Sequence, residues 1–245
     1  MIFTVRLVIC VPTYNERDNV EPIVRALGRV FTAHGLDGHV LVIDDNSPDG
    51  TGAAAERLAA ELPWVRVLIR ARKEGLGPAY LDGFRRALAD GADLVMEMDA
   101  DFSHDPEDVP RLVRAAGEAD LAIGSRYVRG GAVRNWGPVR RAVSRGGCLY
   151  AQALLGLPVK DLTAGFKCYR RAVLEAIDLE AVHSKGYAFQ IETTYRAARA
   201  GFRVAEVPVV FADREEGASK MSRAIVLEAV LKVPALRLAA ALGRL

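Results

Sequence analysis

Residues 94–104 have the sequence Leu-Val-Met-Glu-Met-Asp-Ala-Asp-Phe-Ser-His, in which an apolar run ends in two carboxylates one residue apart. The apolar run predicts a buried strand, and the end of such a strand is where an open α/β sheet presents its ligand site. Asp99 and Asp101 repel each other unless a cation lies beside them. A divalent ion with oxygen ligands, Mg²⁺ or Mn²⁺, satisfies both and can also hold a diphosphate. The alternative is a pair of solvated acids at a turn.

Strand and helix patterns alternate through the first half of the chain. The predicted strands are 5–11, 39–43, 65–69, 94–98 and 121–124, and the predicted helices are 20–31, 51–62, 77–89 and 106–116. In the second half we predict helices at 139–155, 170–177 and 188–200, a strand at 203–212 and a helical tail. This alternation predicts an α/β fold, with a mostly parallel sheet flanked by helices and joined by right-handed crossovers.

A polar cluster follows each of the five predicted strands, on the carboxyl edge where such sheets bind ligands. The clusters are 12–16, 44–50, 70–77, 99–104 and 125–127. The first of them lacks the glycines of G-x-G-x-x-G, which argues against a nicotinamide enzyme. Tyr14 either stacks on a base or packs at the edge, and Glu16 either binds a sugar or caps a helix. Asp45 is placed to accept hydrogen bonds from a ribose hydroxyl or a base N–H.

Basic residues supply the cations that a diphosphate and a second phosphate require. The candidates are Arg126 after the fifth predicted strand, Arg140 and Arg145 on the following helix, and Arg214 and Lys220 near the end of the chain. Each of them is alternatively a solvated surface charge. Asp161 and Thr163 are interpreted as turn or capping residues. His104 and His183 show no partner pattern and are interpreted as structural.

Composition limits the classes of protein that fit this chain. Its 245 residues carry a formal net charge of +2, which is too small to indicate a nucleic-acid partner. The three cysteines are far apart, without metal-ligand spacing, and we expect them to be reduced and buried, as in a cytosolic protein. We find no signal peptide and no uninterrupted apolar run of the roughly 20 residues that a membrane span needs.

The tail, residues 224–245, is apolar but interrupted by charged residues, which predicts an amphipathic helix. Pro234 is expected to kink or end that helix. The helix either packs on its own domain or docks on a membrane surface or a partner protein.

Nine short strings occur in a fixed order along the chain. They are VPTYNE (11–16), IDDNSPDGT (43–51), GLGPAY (75–80), MDADFSHDP (98–106), GSRY (124–127), SRG (144–146), DLTAGF (161–166), KGYAFQIE (185–192) and EVPVVFADREEGASK (206–220). Together they resemble the inverting family-2 glycosyltransferases, specifically the polyprenol-phosphate (dolichol-phosphate) mannosyltransferases. The first, second and fourth strings carry the family-2 resemblance. The seventh and the end of the ninth carry the polyprenol-phosphate resemblance.

The resemblance implies a fold and a reaction. The fold is the nucleotide-sugar transferase fold called GT-A, which is Rossmann-like. The reaction is the transfer of mannose from GDP-mannose to the phosphate of a membrane polyprenol, with inversion at the anomeric carbon. The implied cofactor is Mg²⁺ or Mn²⁺. Alternatives are a polyprenyl-phosphate glycosyltransferase that uses UDP-glucose or another nucleotide sugar, a phosphotransferase that uses the Asp-Ala-Asp, and a non-catalytic nucleotide-sugar-binding module.

The resemblance also implies the roles of individual residues. Those matching the guanosine and ribose positions are Pro12, Tyr14, Glu16, Ile43 and Asp45, and those matching the metal and diphosphate segment are Asp99, Ala100 and Asp101. Arg126 matches a basic position beside both phosphates, Arg140 a position that handles the acceptor phosphate, and Arg214 and Lys220 a segment that closes on the diphosphate. Some relatives place a glutamine metal ligand where this chain has Ser103, whose shorter hydroxyl is a weaker ligand that a water can replace.

The resemblance finally bears on domain organisation and location. We expect a catalytic domain over 1–222 and a C-terminal amphipathic helix over 223–245. Several relatives continue into transmembrane helices, whereas this chain resembles the type held at a membrane by a partner protein or by its own surface. We therefore expect a peripheral enzyme at the cytoplasmic face of a membrane, where the polyprenyl phosphate lies.

Overall fold

The computed structural model describes residues 5–184, 186–212 and 223–243, and the side chains of all of these except 223–229. The strands are β1 Arg6–Thr13, β2 Asp37–Asp44, β3 Val65–Ile69, β4 Leu94–Glu97, β5 Leu121–Ser125, β6 Ala132–Arg134, β7 Lys167–Arg170, β8 Val204–Pro208 and β9 Val210–Ala212. The α-helices are α1 Arg17–His34, α2 Thr51–Glu61, α3 Leu76–Ala89, α4 Val109–Glu118, α5 Pro138–Leu155, α6 Arg171–Ala176, α7 Gly186–Arg199 and α8 Arg223–Ala241.

Seven of the strands form a central sheet in the order β3-β2-β1-β4-β7-β5-β8. Strands β1 to β4 pair in parallel, as does β5 with β8, so the expected α/β class with a mostly parallel sheet is confirmed. Helices α1, α2 and α4 cover one apolar face of the sheet, and α3, α5, α6, α7 and α8 cover the other. This arrangement places the loops after β1, β2 and β4 along one carboxyl edge.

Strand β7 was not predicted. It lies between β4 and β5 and is antiparallel to both, with Lys167 directly opposite Glu97. Its four residues follow a loop and show no alternation of apolar and polar side chains, so periodicity gave no signal for it. The insertion matters because it brings the loop 161–166 next to the ends of β4 and β5.

The strand predicted at 203–212 is wrong, because the structure divides it into β8 and β9, which belong to different sheets. Pro208 ends β8, as expected for a residue without a backbone N–H to donate to a neighbouring strand. Val209 then donates its N–H to the Ser125 carbonyl at 3.1 Å, and β9 pairs with β6. The helix predicted at 106–116 begins instead as a 3₁₀ turn, Pro106–Asp108, capped by the Asp105 side chain.

Of the two effects expected of Pro234, a kink or an end of the tail helix, the end is excluded, because α8 continues to Ala241. A proline at this position removes the N–H that would bond the carbonyl of residue 230. The Tyr150 hydroxyl on α5 donates to that Val230 carbonyl at 2.8 Å, so the carbonyl is satisfied from outside the helix. Within the described ranges, no helix is long and apolar enough to cross a membrane.

Candidate active site

Three loops at the carboxyl edge contain a residue in the left-handed backbone region. They are Asn15 after β1 (φ 58°), Asn46 after β2 (φ 56°) and Phe102 after β4 (φ 60°). Asparagine tolerates this region because its short side chain can hydrogen-bond locally, whereas most other residues adopt it at a cost of roughly 1–2 kcal/mol. Such backbone strain concentrates at functional sites, and here it marks the edge where the polar clusters lie.

Asp99 and Asp101 lie directly beyond β4 and are both partly exposed. The backbone N–H and the hydroxyl of Ser103 both donate to Oδ1 of Asp101, at 3.0 and 2.6 Å. These two bonds orient the Asp101 carboxylate before any ligand binds. The Ser103 oxygen can still accept through a lone pair, so its role as a metal ligand stays a prediction, alongside the support it gives Asp101.

His104 anchors the same loop from inside the protein. Its Nδ1 accepts the backbone N–H of Asp99 at 3.2 Å, and its ring stacks on Phe166 with centroids 4.8 Å apart. Burial lowers the pKa of His104 to about 4, against a smaller opposing effect of the Asp101 charge. The ring is therefore neutral at pH 7 and keeps the lone pair that Asp99 needs. The structural interpretation of His104 was correct but incomplete, since it holds the carboxylate loop.

The two aspartates suit a hard divalent cation, because carboxylate oxygens are the ligands that Mg²⁺ and Mn²⁺ take in proteins. In the described part of the chain, no cluster of three His, Cys, Asp or Glu side chains forms a complete metal cage. The remaining coordination positions would fall to Ser103, water or phosphate oxygens of a ligand. Such a donor set suits an ion that is shared with a diphosphate.

Asp45, predicted to bind a ribose or a base, is buried and paired with Arg70. The Arg70 guanidinium donates to Asp45 at 2.5 Å, to Asp82 at 2.8 Å and to Glu74 at 2.9 Å. Three carboxylates therefore fix Arg70, and Arg70 in turn fixes the orientation of Asp45. Sequence reasoning missed Arg70, although its position directly after β3, on the same edge as Asp45, was an available signal.

The other predicted nucleoside residues lie beside Asp45. Pro12 and Ile43 face each other in the β1–β2 register, and the Lys73 ammonium lies 3.6 Å from the centroid of the Tyr14 ring. Glu16 occupies the N-cap position of α1 without a side-chain capping bond. Its carboxylate instead accepts from the Asn19 side chain at 2.8 Å, so helix capping does not account for this acid.

Arg126 forms a buried bidentate ion pair that its sequence position did not reveal. Its Nε and Nη2 donate to the two oxygens of Asp161 at 2.7 and 2.6 Å, and its backbone N–H donates to the same carboxylate at 2.9 Å. Asp161 is fully buried, so it is an ion-pair partner rather than the turn or capping residue that we expected. The pair ties the end of β5 to the loop 161–166.

Arginines and aromatic rings alternate beyond that ion pair. The Arg140 guanidinium lies 4.2 Å from the centroid of the Trp136 ring, and that of Arg145 lies 4.8 Å from the centroid of Tyr127. Arg126 lies 5.3 Å from Tyr127 and 5.5 Å from Trp136. We call Arg126, Tyr127, Trp136, Arg140 and Arg145 the arginine–aromatic cluster. Contacts with aromatic rings hold these guanidinium groups in place.

Phe211 connects this cluster to the carboxylate loop. Its ring centroid lies 5.5 Å from that of His104 and 5.5 Å from that of Trp136. The structure therefore brings Asp99, Asp101 and the cluster to one edge of the sheet. Arg214 and Lys220, the remaining predicted cations, lie outside the described residues.

A buried polar cluster behind the carboxylate loop was missed by sequence reasoning. Glu97 accepts from Tyr169 at 2.7 Å and from Gln190 at 2.5 Å, and the Lys167 ammonium donates to the Gln190 carbonyl at 2.7 Å. Burial raises the pKa of Glu97 and lowers that of Lys167 to about 8. The cluster joins β4, β7 and α7 two residues before Asp99.

Comparison with known proteins identifies the family of this chain. A sequence model described as glycosyl transferase family 2 matches residues 8–178, more than half of the chain. The chain belongs to glycosyl transferase family 2. The expected family is confirmed.

Two curated relatives of this glycosyltransferase share about half of its residues. An undecaprenyl-phosphate mannosyltransferase from Micrococcus luteus is 51% identical over 235 residues, which cover 96% of this chain and 95% of the relative. A polyprenol monophosphomannose synthase from Mycolicibacterium smegmatis is 53% identical over 232 residues, which cover 94% of this chain and 86% of the relative.

Solved structures confirm the expected fold. Glucosyl-3-phosphoglycerate synthase from Mycobacterium tuberculosis, in complex with Mn²⁺, UDP-glucose and phosphoglyceric acid, superposes with a TM-score of 0.69 at 19% identity. The match covers 95% of this chain and 79% of that one. The same enzyme in complex with Mg²⁺ and UDP gives a TM-score of 0.68 at 19% identity, with 94% and 79% covered. At this level of identity the likeness concerns the fold of the glycosyltransferase alone.

Proposed function

We propose that this glycosyltransferase transfers mannose from GDP-mannose to a polyprenyl phosphate with inversion at the anomeric carbon, giving polyprenyl phosphate mannose and GDP. The observation that carries the proposal is the joining, through Phe211, of an oriented carboxylate pair and an arginine–aromatic cluster at one sheet edge. The carboxylates suit a metal-bound donor diphosphate, and the cluster suits a second phosphate. The names of the two curated relatives support both the sugar and the lipid phosphate.

The donor half of the site comprises the residues after β1, β2 and β4. We assign the guanosine and ribose to Pro12, Tyr14, Glu16, Ile43 and Asp45, with Arg70 holding Asp45 in place. Asp99 and Asp101, beside Ala100, would hold a Mg²⁺ or Mn²⁺ ion, which would supply positive charge to the donor diphosphate. Arg214 and Lys220, outside the described residues, are proposed to add cations there.

The acceptor half is the arginine–aromatic cluster. A phosphate monoester is already anionic at neutral pH, so its attack needs orientation rather than a strong general base. Arg140 and Arg126 are proposed to orient this phosphate, a positioning effect that lowers the entropic part of the barrier. Arg145 adds a third guanidinium of the same kind. We propose that the reaction takes place peripherally at the cytoplasmic face of a membrane, where the polyprenyl chain is embedded.

The test is a donor panel on a short, water-soluble polyprenyl phosphate, with and without EDTA. We expect turnover with GDP-mannose, little with UDP-glucose, and loss of turnover in EDTA that Mg²⁺ or Mn²⁺ restores. Faster turnover with UDP-glucose, or none with any donor, would overturn the proposal.

Removing one carboxylate charge tests the donor half directly. Asp101→Asn keeps the size of the side chain and an oxygen to accept from Ser103 but removes the charge. We expect kcat to fall on the order of 10²–10³-fold, as for other charge-stabilising groups. The matched control is Glu118→Gln, an exposed acid at the end of α4, which should leave kcat unchanged. A near-normal kcat for Asp101→Asn in excess metal would exclude the metal role.

A further inference from the structure

Large apolar side chains are exposed mainly on two helices of this protein. Seven of the eleven large exposed apolar residues in the described part of the chain lie on α5 and α8, and an eighth, Leu242, directly follows α8. A solvated surface normally shows such residues singly, and a contiguous group marks an interaction site. Helix α8 carries Leu231 and Leu238, and Leu242 directly follows its last residue; they are 65%, 61% and 57% exposed.

The exposed leucines of α8 form a stripe opposite its buried side. Val233, Leu236 and Ala240 are buried against the domain at a spacing of three and four residues. Leu231, Leu238 and Leu242 repeat at seven and four residues, which places them together on the other side of the helix. An α-helix that is apolar on both sides is normally covered on both sides. Among the described residues, the domain covers the first side only.

Helix α5 lies beside α8 and adds further exposed apolar residues to this stripe. The Tyr150 hydroxyl on α5 bonds the Val230 carbonyl on α8 at 2.8 Å, so the two helices lie against each other. On α5, Val139, Val143 and Leu149 are 76%, 41% and 50% exposed. We define the docking face as Val139, Val143, Leu149, Leu231, Leu238 and Leu242.

The charges around the docking face are almost all positive. Helix α5 contains three arginines and no acid, and the described side chains of α8, from Val230 onward, include Lys232 and Arg237 and no acid. The whole chain, by contrast, has a net charge of only +2. Arg141 and Arg237 are exposed. Basic residues that flank an apolar helical surface complement the anionic head groups of phospholipids.

We propose that the docking face binds the surface of an anionic phospholipid bilayer, with its leucines and valines inserted among the head groups. The proposal rests on the proposed function for the lipid nature of the acceptor. Arg140 lies between Val139 and Val143, so docking brings the arginine–aromatic cluster to the depth of a polyprenyl phosphate head group. The membrane would then deliver the acceptor phosphate directly to the residues proposed to orient it.

Flotation with vesicles tests the docking face. The full chain should float with vesicles of phosphatidylcholine and phosphatidylglycerol and much less with phosphatidylcholine alone. A Leu231→Gln/Leu238→Gln double variant should bind the anionic vesicles at least about tenfold more weakly, because two large apolar side chains no longer leave water on binding. Val5→Gln, at an exposed valine before β1, is the matched control and should bind as the wild type does. An unchanged melting temperature confirms that the variants fold.

Activity on two acceptors separates this proposal from the proposed function. The leucine variant should keep wild-type turnover of a short, water-soluble polyprenyl phosphate and lose at least about tenfold with a long-chain polyprenyl phosphate in vesicles. Equal vesicle binding by wild type and variant would overturn the docking face, whatever the turnover. A dimer that the leucine substitutions dissociate would also overturn it, in favour of a second copy. Vesicle binding without turnover of either acceptor would instead overturn the proposed function.

Discussion

The pairing of Arg126 with Asp161 shows how a single residue's role depends on a distant partner. Burial of the guanidinium opposes its charged form, but the Asp161 carboxylate outweighs this effect and raises the pKa of Arg126 above its usual value. With Nε and Nη2 committed to Asp161, Arg126 meets a phosphate as part of a rigid pair. The pair also anchors the loop 161–166 under the proposed acceptor site.

Breaking this pair should destabilise the protein strongly. In Asp161→Asn the buried Arg126 charge loses its counter-ion, and we expect the free energy of unfolding to fall by about 3–5 kcal/mol. The matched control is Glu61→Gln, which breaks the exposed pair with Arg25 and should lower the free energy of unfolding far less, because solvent screens exposed ion pairs. Urea denaturation of both variants measures the two free energies of unfolding. Equal losses in the two variants would show that the Arg126–Asp161 pair contributes no more than the exposed pair.

At the scale of single residues, the sequence predicted side chains that lie close to a strand end. Asp99 and Asp101 were predicted because an apolar run and two acids are adjacent in the chain. The partners that orient them were not, because Ser103 was read as a ligand and His104 as a core residue. Asp161 is separated from Arg126 by 35 residues, and no pattern in one sequence encodes such a pairing.

At the scale of elements, β7 decides how the two halves of the sheet meet. It inserts Lys167 opposite Glu97, and the resulting buried cluster supports the strand that ends at Asp99. Four residues are too few for a periodic signal, so this strand and its buried cation were beyond sequence reasoning. Strand β4 is equally short, but it was predicted, like β1 to β3, because its apolar run alternates along the chain with helical patterns.

Lys167 should make stability depend on pH in a predictable direction. Burial lowers its pKa to about 8 in the folded protein, although the Glu97 charge opposes this. Between pH 8 and 10.5 the unfolded chain binds a proton that the folded protein does not, so this group makes stability rise with pH. The rise amounts to about 3 kcal/mol at most, at roughly 1.4 kcal/mol per pKa unit.

Substitution of Lys167 isolates that contribution. Lys167→Met should lack the rise, whereas Lys160→Met, at an exposed lysine, should show the wild-type rise. Free energies of unfolding in urea from pH 8 to 10 provide the measurement. Other titrations in this range are common to all three proteins, so a wild-type slope in Lys167→Met would show that the buried ammonium is not its source.

The packing of α3 against the chain before α7 depends on a glycine. A Cβ at Gly77 would lie 2.5 Å from the Ser184 carbonyl oxygen and 3.2 Å from the Phe189 ring, so backbone has to move. We expect Gly77→Ala to lower the free energy of unfolding by about 1–3 kcal/mol. At Gly117 in α4 a Cβ meets nothing within 4 Å. Gly117→Ala should therefore raise the free energy of unfolding by about 0.5–1 kcal/mol. The melting temperature should fall for Gly77→Ala and rise for Gly117→Ala. A shift of both in the same direction would contradict this prediction.

At the scale of the whole molecule, one topological fact organises both halves of the proposed site. Strands β1, β2 and β4 run parallel, so their loops meet at one edge, and this was predictable from the order of strands and helices. The acceptor side was less predictable, because it forms where β7 turns back between β4 and β5 and where β9 brings Phe211 against His104 and Trp136. The proposed donor residues therefore follow largely from local pattern, whereas the partners of the proposed acceptor residues follow from long-range packing.

Because the donor half spans three loops of one sheet, a nucleotide bound there should stabilise the whole fold. At a concentration 100 times its Kd, GDP with Mn²⁺ should raise the free energy of unfolding by about 2.7 kcal/mol. For a chain of this size, each kcal/mol raises the Tm by roughly 2–4 °C. UDP should raise the Tm less, and EDTA should remove most of the effect of GDP. A larger shift with UDP would overturn the guanosine assignment. An equal shift in EDTA would show that the diphosphate binds without an ion on Asp99 and Asp101.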